Sequence, residues 1–423
     1  MPTPIDWDPR PSHLVARWLP WTLAFPYYVL FGAYVITAVQ VVTILAALQL
    51  MAAQSIRRFG NARPRDAVSV AVYAYCSAGA ASILVAENYQ FFFRAAARTM
   101  GIVLTFWVVR RAVRTPQAQI RLLRALVTAG SVAAVAFLLG ALWYRWNGPD
   151  ISLQFDDLRR SGGLSPFGNS NPVGGFFAMV LPIALAFALR RDASSARRVI
   201  PLIVLSTGLL ATGSRSAFVA ACVGVAATVS TGKKGTSSRR WAVVTAIVFG
   251  LFVFALPSVL MDRLQTGWRM DDYNSASRYL YWVVAFRVFA AHPILGIGLG
   301  NFLAVEPHTW LSSVDLSSVP VSVGLYALEH AHNVPLTVAA ETGVLGLTAL
   351  TGAMAAGIRA AFKGSTARER PVNRAIGAAL LSFVAFGFFE YPLTLSSAPT
   401  AFALLAVVTT RDEGSGPRPR WRV

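Results

Sequence analysis

The sequence predicts an all-α polytopic membrane protein. Three observations predict it: apolar runs of near-spanning length recur along the chain, charge is scarce, and most basic residues cluster in the segments between the runs. Of 423 residues, 55% are hydrophobic and 13% charged. Such a chain has too little polar surface for a soluble globular enzyme and too much apolar surface for a disordered chain. Its formal charge of +19 would suit a nucleic acid. The basic residues lie in small clusters rather than on one amphipathic face, however, so no nucleic-acid partner is expected. Cys76 and Cys222 both fall inside apolar stretches, which argues against a disulfide framework or a thiolate metal site and leaves them as packing residues in the membrane.

A spanning helix needs about 20 mostly apolar residues. Runs of this kind occupy roughly residues 67–86, 91–109, 125–144, 173–189, 199–212, 217–230, 241–260, 334–362, 375–390 and 398–410. Several are short, implying tilted or broken helices. Residues 18–54 form one longer apolar stretch with Pro26 and Gly32 in its first half, which fits two closely connected helices better than one overlong helix. The expectation is about twelve spans, with eleven as the alternative, in a single integral membrane domain over residues 1–423.

The connecting segments test that layout independently, because Lys and Arg stay on the cytoplasmic side. Segments 57–65, 110–124, 190–198, 233–240, 363–374 and 411–422 carry four or five basic residues each, among them Lys233, Lys234 and Lys363. With these inside, both termini of a cytoplasmic (inner) membrane protein are cytoplasmic. The opposite face, toward the periplasm or cell exterior, receives residues 87–90, 145–172, 213–216, 261–333 and 390–397. Asp6, Asp8 and several prolines precede the first apolar run, so no cleaved signal peptide is expected.

The extracytoplasmic loop 261–333 is long enough to carry function or short helices of its own. Within it SASRYLYWVVAFRVFAA, residues 275–291, reads as a helix in the interface with Arg278 and Arg287 available to polar partners. An inert cap over the bundle is the alternative.

Several polar groups on that face are candidates for chemistry. Arg215, in the turn Thr212-Gly213-Ser214-Arg215-Ser216 between two apolar runs, is costly without a purpose or a partner. An ion pair or snorkelling to headgroups is its structural alternative. Further along, Asn333 is a good N-cap and Pro335 suits a first helical turn, so the positive end of the next span opens beside His332, where an anion such as phosphate is favoured. A neutral His332 takes a proton from a hydroxyl, whereas a protonated one stabilises a phosphate. Glu329 and His330 are close enough in sequence to orient it, although His330, His292 and His308 are equally compatible with ordinary surface histidines. Arg94 and Arg98 share one helix face near its outer end and repel each other unless an anion or carboxylate lies between them. A lipid diphosphate satisfies both, since guanidinium binds phosphate oxygens bidentately; Glu87 plus snorkelling is the alternative.

Weaker signals are set aside. Residues 296–300, GIGLG, resemble part of a dinucleotide loop but follow no expected strand. Asp6-Trp7-Asp8 has the spacing of some metal-dependent glycosyltransferases but lies on the cytoplasmic tail, and Asp156-Asp157 and Asp271-Asp272 have no accompanying ligand cluster. Neither a catalytic metal nor another cofactor is expected.

Taken in order, Ala211-Thr212-Gly213-Ser214-Arg215-Ser216-Ala217, Arg278 followed by Trp282, residues 292–302 (HPILGIGLGNF) and His332-Asn333 resemble the O-antigen ligase and polymerase superfamily. The ligase pattern is a His, then Asn, Ser or Gln, nine residues, Gly, two residues, and Gly, Thr or Tyr. Here nine residues, 334–342, separate His332-Asn333 from Gly343, and Gly346 completes the pattern. The two glycines also permit close helix approach. The motif region covers about residues 200–350.

The resemblance implies a metal-independent membrane glycosyltransferase that moves a glycan from an undecaprenyl-diphosphate donor to an acceptor hydroxyl outside the cytoplasm. The acceptor is a glycolipid such as lipid A-core, or a polysaccharide. By position, Arg215 and Arg278 resemble the family arginines that hold the diphosphate, and His332 resembles its essential histidine, as base or as phosphate partner. Ser214, His330, Asn333, Arg287, Arg94 and Arg98 complete the expected substrate-binding set. A polymerase that extends the chain on its lipid carrier, a protein O-oligosaccharyltransferase, and a lipid or solute transporter are the alternatives, the nine-residue spacing favouring the ligase.

Overall fold

A computed structural model describes residues 10–24, 28–31, 34–55, 66–147, 170–189, 195–230, 273–312, 330–363, 370–394 and 397–409. These residues are almost wholly helical. Where two connected helices are expected over 18–54, α1 (Arg10–Ala24) and α2 (Ala38–Ser55) are joined by a short antiparallel hairpin, β1 (Tyr28–Phe31) with β2 (Tyr34–Thr37), paired Tyr28 to Thr37. Then follow α3 (Ala67–Ala81), α4 (Tyr89–Ala112), α5 (Pro116–Asn147), α6 (Ser170–Ala188), α7 (Ser195–Ala211) and α8 (Arg215–Ser230). The outer loop supplies α9 (Tyr273–Ala291) and the short α10 (Pro307–Leu311), and the chain continues through α11 (Val334–Lys363), α12 (Arg370–Gly387) and α13 (Ser397–Thr409).

Among the described residues, five helical stretches are long and apolar enough to cross a bilayer: Ala67–Val85, Tyr89–Ala112, Pro116–Gly140, Asn171–Ala188 and Val334–Lys363. Five shorter apolar helices accompany them. The molecule is therefore a helical integral membrane protein. The run at 241–260 lies outside the described residues, as do Glu329 and the paired aspartates, and the expected count near twelve is not reached by length and composition alone.

The core lies around α6, 83% of whose spanning window is buried. α7, α8 and α12 pack directly on it because small residues remove side-chain bulk at the contacts. A Cβ on Gly175 would enter the Phe386 ring, and one on Gly224 would sit 2.7 Å from Pro182 Cγ. Leu139, Leu142, Ile200 and Ile203 are exposed, an apolar exterior that suits lipid. Both cysteines are free, Cys76 half-buried and Cys222 exposed.

Two irregularities shape the outer end. The span expected over 334–362 is two helical segments meeting at Gly343, whose φ of 64° and ψ of −163° are open to glycine alone. The loop after α9 clasps this break. The Ile297 and Gly298 amides donate to the Ala340 and Glu341 carbonyls at 2.9 and 3.0 Å, and the Val344 amide donates to the Pro293 carbonyl at 2.8 Å. Gly296, at φ 66°, lies so close to the Ala340–Thr342 backbone that no side chain fits. The residues of the GIGLG run thus serve a backbone clasp.

Candidate functional site

Described residues of several expected outer turns lie together: Asn88 with Asn301, Asn171 with Glu390, and His332 with Glu390. The Asn88 side chain caps α4 by accepting from the Phe91 amide, while the Asn88 backbone N–H donates to Asn301 Oδ1 at 2.7 Å. α9 forms as expected, beginning two residues earlier, and carries its own small core of Leu280, Tyr281, Val284 and Val288 against Phe302, Ala331 and Ala340. That core fixes Arg278 over the start of α11.

Asn333 caps α11 as its residue type predicts, Oδ1 accepting from the Leu336 amide at 2.9 Å. Its Nδ2 donates to the Phe388 carbonyl at 2.9 Å, tying this helix start to the turn after α12. Just before the cap, His332 adopts φ 51°, the one non-glycine residue at positive φ among the described residues. Such a conformation persists only where surrounding structure enforces it, and it clusters at functional sites.

The turn after α12 carries Glu390, which sequence reasoning missed. This carboxylate is 8% exposed. Oε1 accepts from Asn171 Nδ2 at 2.8 Å and pairs with the Arg278 guanidinium, and Oε2 lies 3.1 Å from His332 Nδ1. Burial by itself would raise its pKa, but the His332 hydrogen bond and the Arg278 charge together hold the carboxyl below its usual range. The rule that singled out Arg215, a lone charge between apolar runs, applies equally to Glu390 and was the available signal.

His330 stands beside this centre. Its ring lies 4.6 Å from that of His332, edge to face, and stacks on Tyr391 at 4.9 Å. The His332 amide donates to His330 Nδ1 at 3.3 Å, which requires that nitrogen to be unprotonated. Burial above all, and then neighbouring His332, lower the His330 pKa to about 3; Arg98 acts in the same direction and Glu390 opposes it. His330 is therefore a neutral ring carrying its proton on Nε2.

Arg215 opens α8 directly after the Thr212–Ser214 turn, and Ser214 Oγ faces the Ala217 amide at 3.4 Å as the cap of that helix. The same turn packs on Gly174 of α6, where an added Cβ would lie 3.0 Å from Thr212 Oγ1 and 3.2 Å from Ser214 Cβ. Asn171, which holds Glu390, is three residues earlier on α6, about one helical turn. The Arg215 turn and the Glu390 centre are thus anchored to adjacent turns of one helix.

Arg94 and Arg98 line a separate cleft with Tyr75, Gly300, Glu341 and Tyr391. The carboxylate in that cleft is Glu341, 2% exposed and inside the nine-residue spacer, whereas Glu87 is exposed. Tyr391 forms part of its wall and also stacks on His330, so cleft and histidine centre share a partition. Arg287 is nine residues beyond Arg278, about half a revolution around α9. It donates to the Trp310 carbonyl at 2.6 Å and so braces α10.

Among the described residues, two buried donors near these centres lack hydrogen-bond partners, Arg94 Nε in the cleft and Trp282 Nε1 one turn along α9 from Arg278. The Trp282 ring lies 6.5 Å from that of Phe389, the neighbour of Glu390. A buried unsatisfied N–H costs about 1–3 kcal/mol, so each of these groups marks a place where a polar ligand fits.

The fold and this centre define a class: a helical integral membrane protein with a carboxylate-braced histidine and arginine where its helices end. Residues 200–351 match the family model described as O-antigen ligase, which supports the O-antigen ligase superfamily named by the motifs. Arg215, Arg278 and His332 all lie in the matched stretch, whereas Glu390, Arg94 and Arg98 lie outside it. No curated protein matches the chain.

Proposed function

We propose that the protein is a metal-independent glycosyltransferase of the inner membrane. It transfers a glycan from an undecaprenyl-diphosphate donor to an acceptor hydroxyl, as a ligase acting on lipid A-core or a similar glycolipid outside the cytoplasm. The observation that carries this reading is the convergence of Arg278 and His332 on one buried carboxylate, Glu390, with the His332 side chain still 31% exposed. Arg215, at the start of α8, and the remaining N–H groups of Arg278 face the diphosphate. There they stabilise charge on the departing oxygen, an effect typically worth a few kcal/mol of barrier. Arg94, Arg98 and the unpaired Trp282 N–H extend that polar surface along the donor, and Ser214, Asn333 and His330 shape its rim. With one bound arginine contact already made to Glu390, Arg278 is fixed in place before substrate arrives.

The ligase motif spacing favours a ligase over a polymerase, since both share the arginines and the histidine. The test is to supply purified protein with a lipid-linked oligosaccharide and separate acceptors, namely lipid A-core, a second lipid-linked glycan and a Ser/Thr peptide, and to identify products by mass. A glycan-lipid A-core product is expected. Product on the second lipid-linked glycan alone makes the protein a polymerase, and flux into sealed vesicles without any transfer makes it a transporter.

A further inference from the structure

We infer that Glu390 is the positioning residue of this centre: it holds the proton of His332 on Nδ1 and so presents Nε2 as the base that receives the acceptor proton. The inference rests on the glycosyltransferase reading above and resolves whether His332 is base or phosphate partner.

The argument begins with the two oxygens of one carboxylate. Oε1 has two donors, Asn171 Nδ2 at 2.8 Å and the Arg278 guanidinium, neither of which accepts a hydrogen bond. Oε2 has His332 Nδ1 at 3.1 Å. An ionised carboxylate is an acceptor at both oxygens, so Nδ1 must carry a hydrogen. In a neutral imidazole the lone pair then resides on Nε2, and the ring is oriented by the bond at its other nitrogen. The backbone contributes as well: Asn333 ties the His332 turn to the Glu390 turn through Phe388 O, and His332 itself is held at a positive φ of 51°. His330 cannot take over the role, because its Nδ1 accepts from the His332 amide.

In the reaction, the acceptor oxygen bonds to the anomeric carbon while its proton passes to His332 Nε2. The bond from that carbon to the diphosphate oxygen breaks, and the lipid diphosphate leaves with the electron pair. Glu390 stabilises the imidazolium so formed without itself touching substrate.

The isosteric change Glu390→Gln tests this sharply. Arg278 and Asn171 demand an acceptor at Oε1, so the glutamine must turn its NH2 toward His332. That donor forces Nδ1 to become the acceptor and moves the ring proton to Nε2, where it blocks proton uptake. In protein labelled with 15N-histidine and held in micelles, with the signal assigned through His332→Gln, the wild type is expected to show His332 protonated at Nδ1 and the Glu390→Gln variant at Nε2. Transfer from the lipid-linked oligosaccharide should fall on the order of 10²–10⁴-fold in kcat, with the donor KM changed less than about threefold. A wild-type spectrum with His332 protonated at Nε2 alone overturns the inference whether or not the variant can be purified. An unchanged tautomer in Glu390→Gln together with unchanged kcat overturns it as well. Absence of transfer by the wild type beside an Nδ1 proton removes the glycosyltransferase reading and leaves the positioning role standing.

Discussion

The Asn333 side-chain nitrogen donates to the carbonyl of Phe388 at 2.9 Å, joining the residue after His332 to a residue two before Glu390. One amide thereby caps α11 and sets the distance between a histidine and its carboxylate. Asn333→Ala removes both functions. Loss of the cap should cost about 1 kcal/mol, a small fall in melting temperature. Transfer should fall by more than tenfold, because the His332–Glu390 geometry is no longer fixed. Asn333→Ser, which caps but cannot reach Phe388, should recover the melting temperature without recovering the rate.

Removal of Arg278 separates structure from chemistry. In Arg278→Ala the buried Glu390 loses its cationic partner, and breaking a buried pair from one side costs roughly 3 kcal/mol or more. A lowered melting temperature and abolished transfer are expected together. Arg278→Lys keeps the charge and should restore much of the stability, yet not the activity, because an ammonium lacks the planar fork that spans carboxylate and diphosphate.

Arg215→Ala and His332→Ala should each abolish glycan transfer while leaving membrane insertion and the elution profile in detergent intact. Retained transfer in either variant would remove that residue from the site.

Acidification should act first through His330. Its folded-state pKa is about 3 against an ordinary 6.5, so the unfolded chain takes up the proton earlier as pH falls. Stability from this group is whole above pH 6.5 and is lost progressively below it, by up to roughly 1.4 kcal/mol per pH unit. The depressed Glu390 acts in the same direction, but only below the usual carboxylate range. Thermal melts between pH 7 and 5 should therefore fall for the wild type and stay nearly level for His330→Asn, which retains an acceptor for the His332 amide.

Gly343→Ala tests the broken helix. The new Cβ meets the Ile294 carbonyl in a backbone region open only to glycine, so a loss of at least about 2 kcal/mol is expected, with impaired transfer. Gly352, further along the same helix, has only Ala71 Cβ at 3.9 Å among the described residues, and Gly352→Ala should be neutral or slightly stabilising in the same melt.

The sequence by itself determined the class of this protein and where many of its helices run. Apolar runs of spanning length and basic clusters between them are local properties, read one segment at a time, and they located α3 to α8, the loop helix α9 and the start of α11. They also led to the expectation that the turns containing Asn88, Arg215, His332 and Glu390 share one face, and named His332, Arg215 and Arg278 as candidates. Tertiary structure decided the rest, because pairing depends on distances no spacing encodes. Arg278 and Glu390 are 112 residues apart and share a bond. Glu341, brought there by the fold, rather than the exposed Glu87 lines the cleft with Arg94 and Arg98. Arg287 is half a revolution from Arg278 and binds the Trp310 carbonyl of α10. A buried carboxylate stays charged only where donors from several segments surround it, and folding alone brings those donors together.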